Sequence, residues 1–295
     1  MSGFTWVDQP QRSPIRRALL KLHLWLALGL GLYVIVISIS GAAIVFRPEV
    51  SRWAIPRVVP DASGERVEGE ALAAALTEAY PDSVVVRFTE GRFPRQPTSV
   101  LLERNGEEEG RLFDPFALED MGSNYPPVVA FVEWLVSLHD DLLTYPMGRK
   151  FNGIAGALML VIVVTGMVLW WPGKRHWHRS LYIPGNSPRK LWHLHSMLGF
   201  WLCLLLLNWC LTSIYFAFPG PVEDFRDWID ADPTDFDRPG EGTMNFLIDA
   251  HFGRFGGAWG RTGWVVLGLT PAVLLISGVL VWWRQRRKKG RPATG

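Results

Sequence analysis

The chain reads as a mainly α membrane protein: a four-transmembrane-helix bundle of two parallel helix-pair repeats, with a small α+β domain outside the membrane. Three observations carry that reading. Its 295 residues combine 48% hydrophobic residues and 15 tryptophans with 20% charged residues, too apolar for an ordinary soluble protein and too charged to lie wholly in lipid. Four nearly uncharged stretches, Leu22–Phe46, Gly153–Trp171, Leu194–Phe218 and Gly263–Trp283, are each long enough to cross about 30 Å of hydrocarbon. Polar and glycine positions then recur at fixed intervals between these stretches.

Residues 1–52 comprise an N-terminal tail and the first span. The tail, the loop 173–193 and the segment after Trp283 together hold 15 basic residues, among them Arg17 and Arg189, against the single acid Asp8. The other connections hold 15 basic and 27 acidic residues. The positive-inside rule therefore places both termini in the cytoplasm. The first span is too long for a signal-peptide core and lacks a small-x-small cleavage site, so it is expected to persist as an anchor. The pI near 8.6 reflects these flanks, with no implication of nucleic acid.

The first half carries an insertion. Shifted by 172 positions, the first span lies on the third without gaps: Arg17 meets Arg189, His23 meets His195, Ser40 meets Thr212 and Phe46 meets Phe218. Shifted by 112, the second lies on the fourth: His139 meets His251, Gly148 meets Gly260, Arg149 meets Arg261, Thr165-Gly166 meets Ser277-Gly278, and Trp170-Trp171 meets Trp282-Trp283. Parallel repeats imply a pseudo-two-fold axis along the membrane normal. His23 and His139 are 116 positions apart but His195 and His251 only 56; the excess of about 60 falls within residues 53–124, read as a small inserted domain. There the sequence predicts a helix over 69–80 and short strands over 84–88, 99–103 and 110–116, punctuated by Pro, Gly and charge. Residues 125–172 supply an interfacial helix and the second span, 194–218 the third. Residues 219–262 supply a periplasmic connection with its own interfacial helix, and 263–295 the fourth span and basic tail.

The repeat selects four of the seven histidines. His23 and His195 lie at the cytoplasmic ends of the first and third spans, while His139 and His251 lie on the periplasmic side before the second and fourth. Two opposed imidazoles at each level, in an apolar bundle, most economically hold a b-type haem, so two haems are expected, with these histidines as axial iron ligands. Zinc normally takes four protein ligands, or three and water; Asp140 and Asp141 have no acidic counterparts at Phe252 and Gly253. Cys203 and Cys210 both lie within the third span, which excludes a disulfide framework, and are expected to be packing residues. Ser40-Gly41, Thr212-Ser213, Thr165-Gly166 and Ser277-Gly278 are expected to make room for flat macrocycles, although small residues also serve plain helix packing. Arg149 and Arg261 on the outside, and Arg17 and Arg189 on the inside, are candidate partners for propionates. His193 takes the place of Lys21 in the repeat and is expected to face headgroups or a propionate. His176 and His178 have no repeat mates. The Trp pairs are read as interface belts.

The stretches "LHLWLALGLGLYVIVISISGAAIVF" (22–46), "LHDDLL…GRKFNGIAGALMLVIVVTGMVLWWP" (138–172) and "LHSMLGFW" (194–201) resemble the PepSY-associated transmembrane family. "GRLFDPFALEDMG" (110–122) is similar to the close of a PepSY domain, with Ala117-Leu118 where the family usually has Thr-Gly. The resemblance covers nearly the whole chain. It implies a bacterial inner-membrane protein with a PepSY-like periplasmic domain and two bis-histidine haems, reducing ferric siderophore on the periplasmic side. It also favours His195 over His193. No dinucleotide fingerprint or P-loop is present, so quinol or a separate cytoplasmic reductase is the expected donor. The rival classes are a non-enzymatic membrane protein that binds or regulates an extracytoplasmic partner, and an iron or siderophore transporter. Transport is disfavoured because the spans hold no acids. The acidic stretch 223–241 reads as a solvated loop.

Overall fold

The computed structural model describes residue 10 and residues 13–58, 65–91, 93, 95–173, 177–183, 189–221, 223–224 and 241–289. His176 and most of the acidic stretch lie outside the described residues. The chain divides into two compact units, one formed by the residues up to Val45 and from Leu135 onward, the other by Phe46–Trp134.

In the first unit, α1 (Pro14–Gly29) starts where the Ser13 hydroxyl accepts the Ile15 N–H at 3.2 Å, with proline in the first turn, a pairing that suits a helix N-terminus. The stretch expected as one helix over 22–46 is two: α1 and α2 (Gly31–Ile44) meet at Leu30 with a bend of 61°. The same holds for 194–218, where α7 (Lys190–Trp201) and α8 (Cys203–Ala217) meet at Leu202, also at 61°. Gly29 and Gly31 flank the first break and accommodate it. Trp201 and Cys203 flank the second, and nothing in their chemistry explains the bend. Leu30 and Leu202 stand 172 positions apart and have nearly the same backbone angles, φ −90°, ψ 4° and φ −99°, ψ 3°.

Two further helices, α6 (Met147–Trp170) and the run of α10 (Gly257–Gly268) into α11 (Thr270–Lys289), are each long and apolar enough to cross a membrane; four spans result if each bent pair crosses once. Preceding them are α5 (Pro127–Asp141) and α9 (Glu241–Phe252). Helix α6 packs on α8 and α1, α2 on α10 and α11, and α7 on α11. Leu30, Val34 and Ala155 form one buried cluster, and Val163, Leu206 and Cys210 another.

The second unit contains α3 (Arg47–Ala54), α4 (Gly69–Ala79) and an antiparallel sheet in the order β1 (Val84–Thr89), β2 (Thr98–Arg104), β3 (Glu107–Asp114), β4 (Glu119–Ser123). Asn105 and Gly106, at φ 55° and 82°, make the tight β2–β3 turn that Asn-Gly favours. Leu72 and Leu76 of α4 pack on Val100, Leu102 and Phe113; each buried leucine contributes about 1.5–3 kcal/mol. Strand β4 was not expected because "EDMGS" has no apolar alternation. The turn before it hangs on Asp114, whose Oδ1 accepts the N–H groups of Phe116 at 2.8 Å and Ala117 at 3.2 Å. Leu118 sits there at φ 56°, a left-handed conformation that glycine takes without strain. Arg111 joins β3 to β4 through its ion pair with Asp120. Burial works to raise the Asp120 carboxyl, yet the hydrogen bonds from Arg111 and the Gly122 N–H hold it below the ordinary range.

Candidate functional site

Helices α1, α5, α7 and α9 bring four histidines into two pairs. His23 of α1 and His195 of α7 have ring centres 6.4 Å apart, and His139 of α5 and His251 of α9 have ring centres 6.5 Å apart. The ring planes stand at 88° and 67°. His193 lies two positions from His195, about 200° around the helix, and its described ring contact is with Trp192 at 5.0 Å.

Each imidazole rests on a neighbouring helix through Nδ1. His23 Nδ1 lies 3.0 Å from the Ile162 carbonyl and 3.2 Å from Thr165 Oγ1. For His195 the partners are the Leu274 carbonyl at 2.9 Å and Ser277 Oγ at 3.1 Å. His139 meets the Ile37 carbonyl and Ser40 Oγ, each at 3.2 Å. His251 meets Thr212 Oγ1 alone among the described contacts, at 2.6 Å. A hydroxyl has one proton, and these four give theirs to their own helices. Ser40 donates to Val36 O, Thr165 to Val161 O and Thr212 to Asn208 O, each at 2.7 Å, and Ser277 donates to Leu274 O at 3.0 Å. The carbonyls can only accept, so Nδ1 carries the proton in His23, His195 and His139; for His251 the Thr212 hydroxyl, with Asn208 O to take its proton, offers an acceptor in the same place. Nε2 is then the nitrogen each ring has left for a ligand.

The glycines among these small residues give the imidazoles room to reach the neighbouring helix. A Cβ on Gly41 would stand 2.7 Å from His139 Cε1, one on Gly166 3.2 Å from His23 Cε1, and one on Gly278 3.0 Å from His195 Cε1. Ser213, which occupies Gly41's place in the other half, donates to the Asn152 carbonyl at 3.1 Å.

Three residues that the sequence comparison passed over hold the ends of the histidine-bearing helices. Asn152 Nδ2 donates to the carbonyls of His139 at 2.8 Å and Asp140 at 2.7 Å. Trp264 Nε1 donates to Ala250 O at 3.0 Å, and Trp209 Nε1 to His251 O at 3.4 Å. Asn152 and Trp264 stand 112 positions apart and share a role despite unlike side chains, so a search for identities misses them. Among the arginines, Arg149 pairs with Asp140 next to His139 and lies 5.4 Å from the centre of the Tyr145 ring. Arg261 is half-buried on α10, while Arg17 and Arg189 are exposed, each six positions before the histidine of its own segment. Arg16, not Arg17, reaches across to α6, donating to Leu169 O at 2.6 Å, where a cation suits a helix C-terminus.

Chemically, each pair offers two neutral imidazole lone pairs. A first-row metal held by two Nε2 atoms at about 2 Å each, with the ring centres roughly 1 Å farther back, separates the centres by about 6 Å; the 6.4 and 6.5 Å found here fit such a metal. No three His, Cys, Asp or Glu side chains converge among the described residues, so each pair offers two protein donors. Asn208, one turn before Thr212, is buried with neither amide atom hydrogen-bonded to protein. Such a group in an apolar bundle calls for a partner that is not protein.

No curated protein matches the sequence. Residues 20–243 and 226–285 match the family model described as the PepSY-associated TM region. With the match running across most of the chain, this protein belongs to the PepSY-associated transmembrane family.

Proposed function

We propose that this membrane protein carries two b-type haems and passes electrons across the bacterial inner membrane to a ferric siderophore on the periplasmic side. The observation that carries the reading is the pair of imidazole pairs, each at the separation a shared metal needs and each with Nδ1 engaged. His23 and His195 would ligate one haem iron, and His139 and His251 the other. With both imidazoles of a pair given to its iron, each haem would supply one-electron transfer and leave no site open to oxygen. Arg149 and Arg261 would meet propionates on the outer side, and Arg17 and Arg189 on the inner side. The apolar spans insulate the two sites from water and from each other.

Two matched halves related by an axis along the membrane normal account for the equal bends at Leu30 and Leu202 and for the repeated histidine–hydroxyl contacts. The charge asymmetry puts both termini in the cytoplasm and the unit Phe46–Trp134, read as PepSY-like, in the periplasm. Quinol or a separate cytoplasmic reductase would supply the electrons. Reduction frees iron because hard oxygen donors hold Fe(III) well and Fe(II) poorly.

The test is direct. Purified protein, reduced anaerobically with dithionite and freed of excess, is mixed with ferric hydroxamate, catecholate and citrate chelates beside a ferrous-specific dye. At least one chelate should reoxidise the haem bands with matching Fe(II) capture. Reduced bands that persist with every chelate overturn the reductase assignment.

A further inference from the structure

The two histidine pairs are not supported alike. His23, His195 and His139 each share Nδ1 between a hydroxyl and a backbone carbonyl, whereas among the described residues His251 rests on Thr212 alone, and more closely, at 2.6 Å. Thr212 is buried and its hydroxyl lies 2.7 Å from Asn208 O, which can take its proton, so with Nε2 of His251 given to a metal Thr212 faces Nδ1–H as an acceptor. We propose that Thr212 is the positioning residue that sets both the grip and the redox potential of the His139–His251 site, a role which the other three histidines divide between two acceptors. This rests on the two-haem reading above and goes beyond it by assigning which side chain tunes which site.

The physical reason lies in the ligand's far nitrogen. An oxygen accepting from Nδ1–H fixes the tautomer and the ring orientation, and pushes electron density toward Nε2. An electron-rich Nε2 favours Fe(III) over Fe(II), so the bond from His251 to Thr212 lowers the potential of its site. In Thr212→Val the Nδ1–H of His251 loses its acceptor, while shape and volume are nearly kept. Thr165→Val removes the equivalent hydroxyl from His23 but leaves the Ile162 carbonyl at 3.0 Å, so the ring keeps an acceptor.

The experiment uses full-length protein in detergent, with two readouts: potentiometric titration of the haem absorption bands, and haem transfer to excess apomyoglobin. In Thr212→Val one of the two redox waves should move to higher potential while the other stays, and one haem should leave about 10–100-fold faster. Thr212→Ser keeps the acceptor and should restore both values. Thr165→Val should move its wave less than Thr212→Val moves the other. If Thr212→Val comes out with one haem missing, retention of two in Thr212→Ser supports the proposal and loss in both overturns it. Unmoved waves in Thr212→Val, or a larger shift in Thr165→Val, likewise overturn it. A wild-type protein that binds no haem overturns the functional reading and this inference together, whereas two haems indifferent to Thr212 overturn the inference alone.

Discussion

At the residue scale, neighbouring histidines have opposite prospects. His195 donates to the Leu274 carbonyl and faces His23 across 6.4 Å, while His193 packs beside Trp192. His195→Ala should therefore lose one of two haems by absorption, and His193→Ala should keep both; the reverse would mean that the 172-residue register is off. The register was readable because histidine, arginine and paired small residues repeat without gaps. What the hydroxyls do was not. Ser40, Thr165, Thr212 and Ser277 stand out in the sequence as small residues, yet their partners are 39 to 142 positions away, and no local pattern encodes which oxygen meets which ring. Asn152 was invisible for a related reason, since its partners are carbonyls, which every residue has.

At the element scale, helix α2 must come close enough to α5 for His139 to reach Ile37 O, and Gly41 is the condition. Gly41→Ala puts a methyl 2.7 Å from His139 Cε1, tighter than side chains pack, so the ring must shift from its acceptors. The expected outcome is loss or faster release of one haem. Gly263→Ala, with nothing within 4 Å of the new methyl, should bind haem as the wild type does. Equal behaviour of the two variants would show that α2 gives way and that the close approach is unimportant. The bends at Leu30 and Leu202 were beyond sequence reasoning. Hydropathy counts residues in a stretch and is blind to a change of direction inside it, and only the first bend carries flanking glycines. In the second unit, α4 and β1 to β3 overlap the segments expected from the sequence, β3 running Glu107–Asp114 because its charged start pairs with β2 across the Asn-Gly turn, while β4 exists because β3 offers it a hydrogen-bonding edge: Arg111 pairs with Ser123 and Asp114 with Glu119 along the ladder.

At the scale of the whole molecule, the sequence and the structure speak to different things. Charge distribution and apolar length describe a membrane protein with cationic flanks, and the family match agrees. The structure adds that four imidazoles from α1, α5, α7 and α9 meet two by two, each with one nitrogen committed to a neighbouring helix and one free. An imidazole buried for packing alone would have both ring nitrogens hydrogen-bonded, whereas the described hydrogen bonds of these four engage Nδ1 alone. The claim that depends on it most is that the chain holds two haems, one for each pair. The direct measurement is haem per chain in purified, haem-replete protein, by pyridine haemochrome against amino-acid analysis, for the wild type, His195→Ala and His139→Ala. Two haems in the wild type and one in each variant are predicted, with the loss falling on a different redox wave in each. A wild type with no Soret band, or variants that keep both haems, would contradict it.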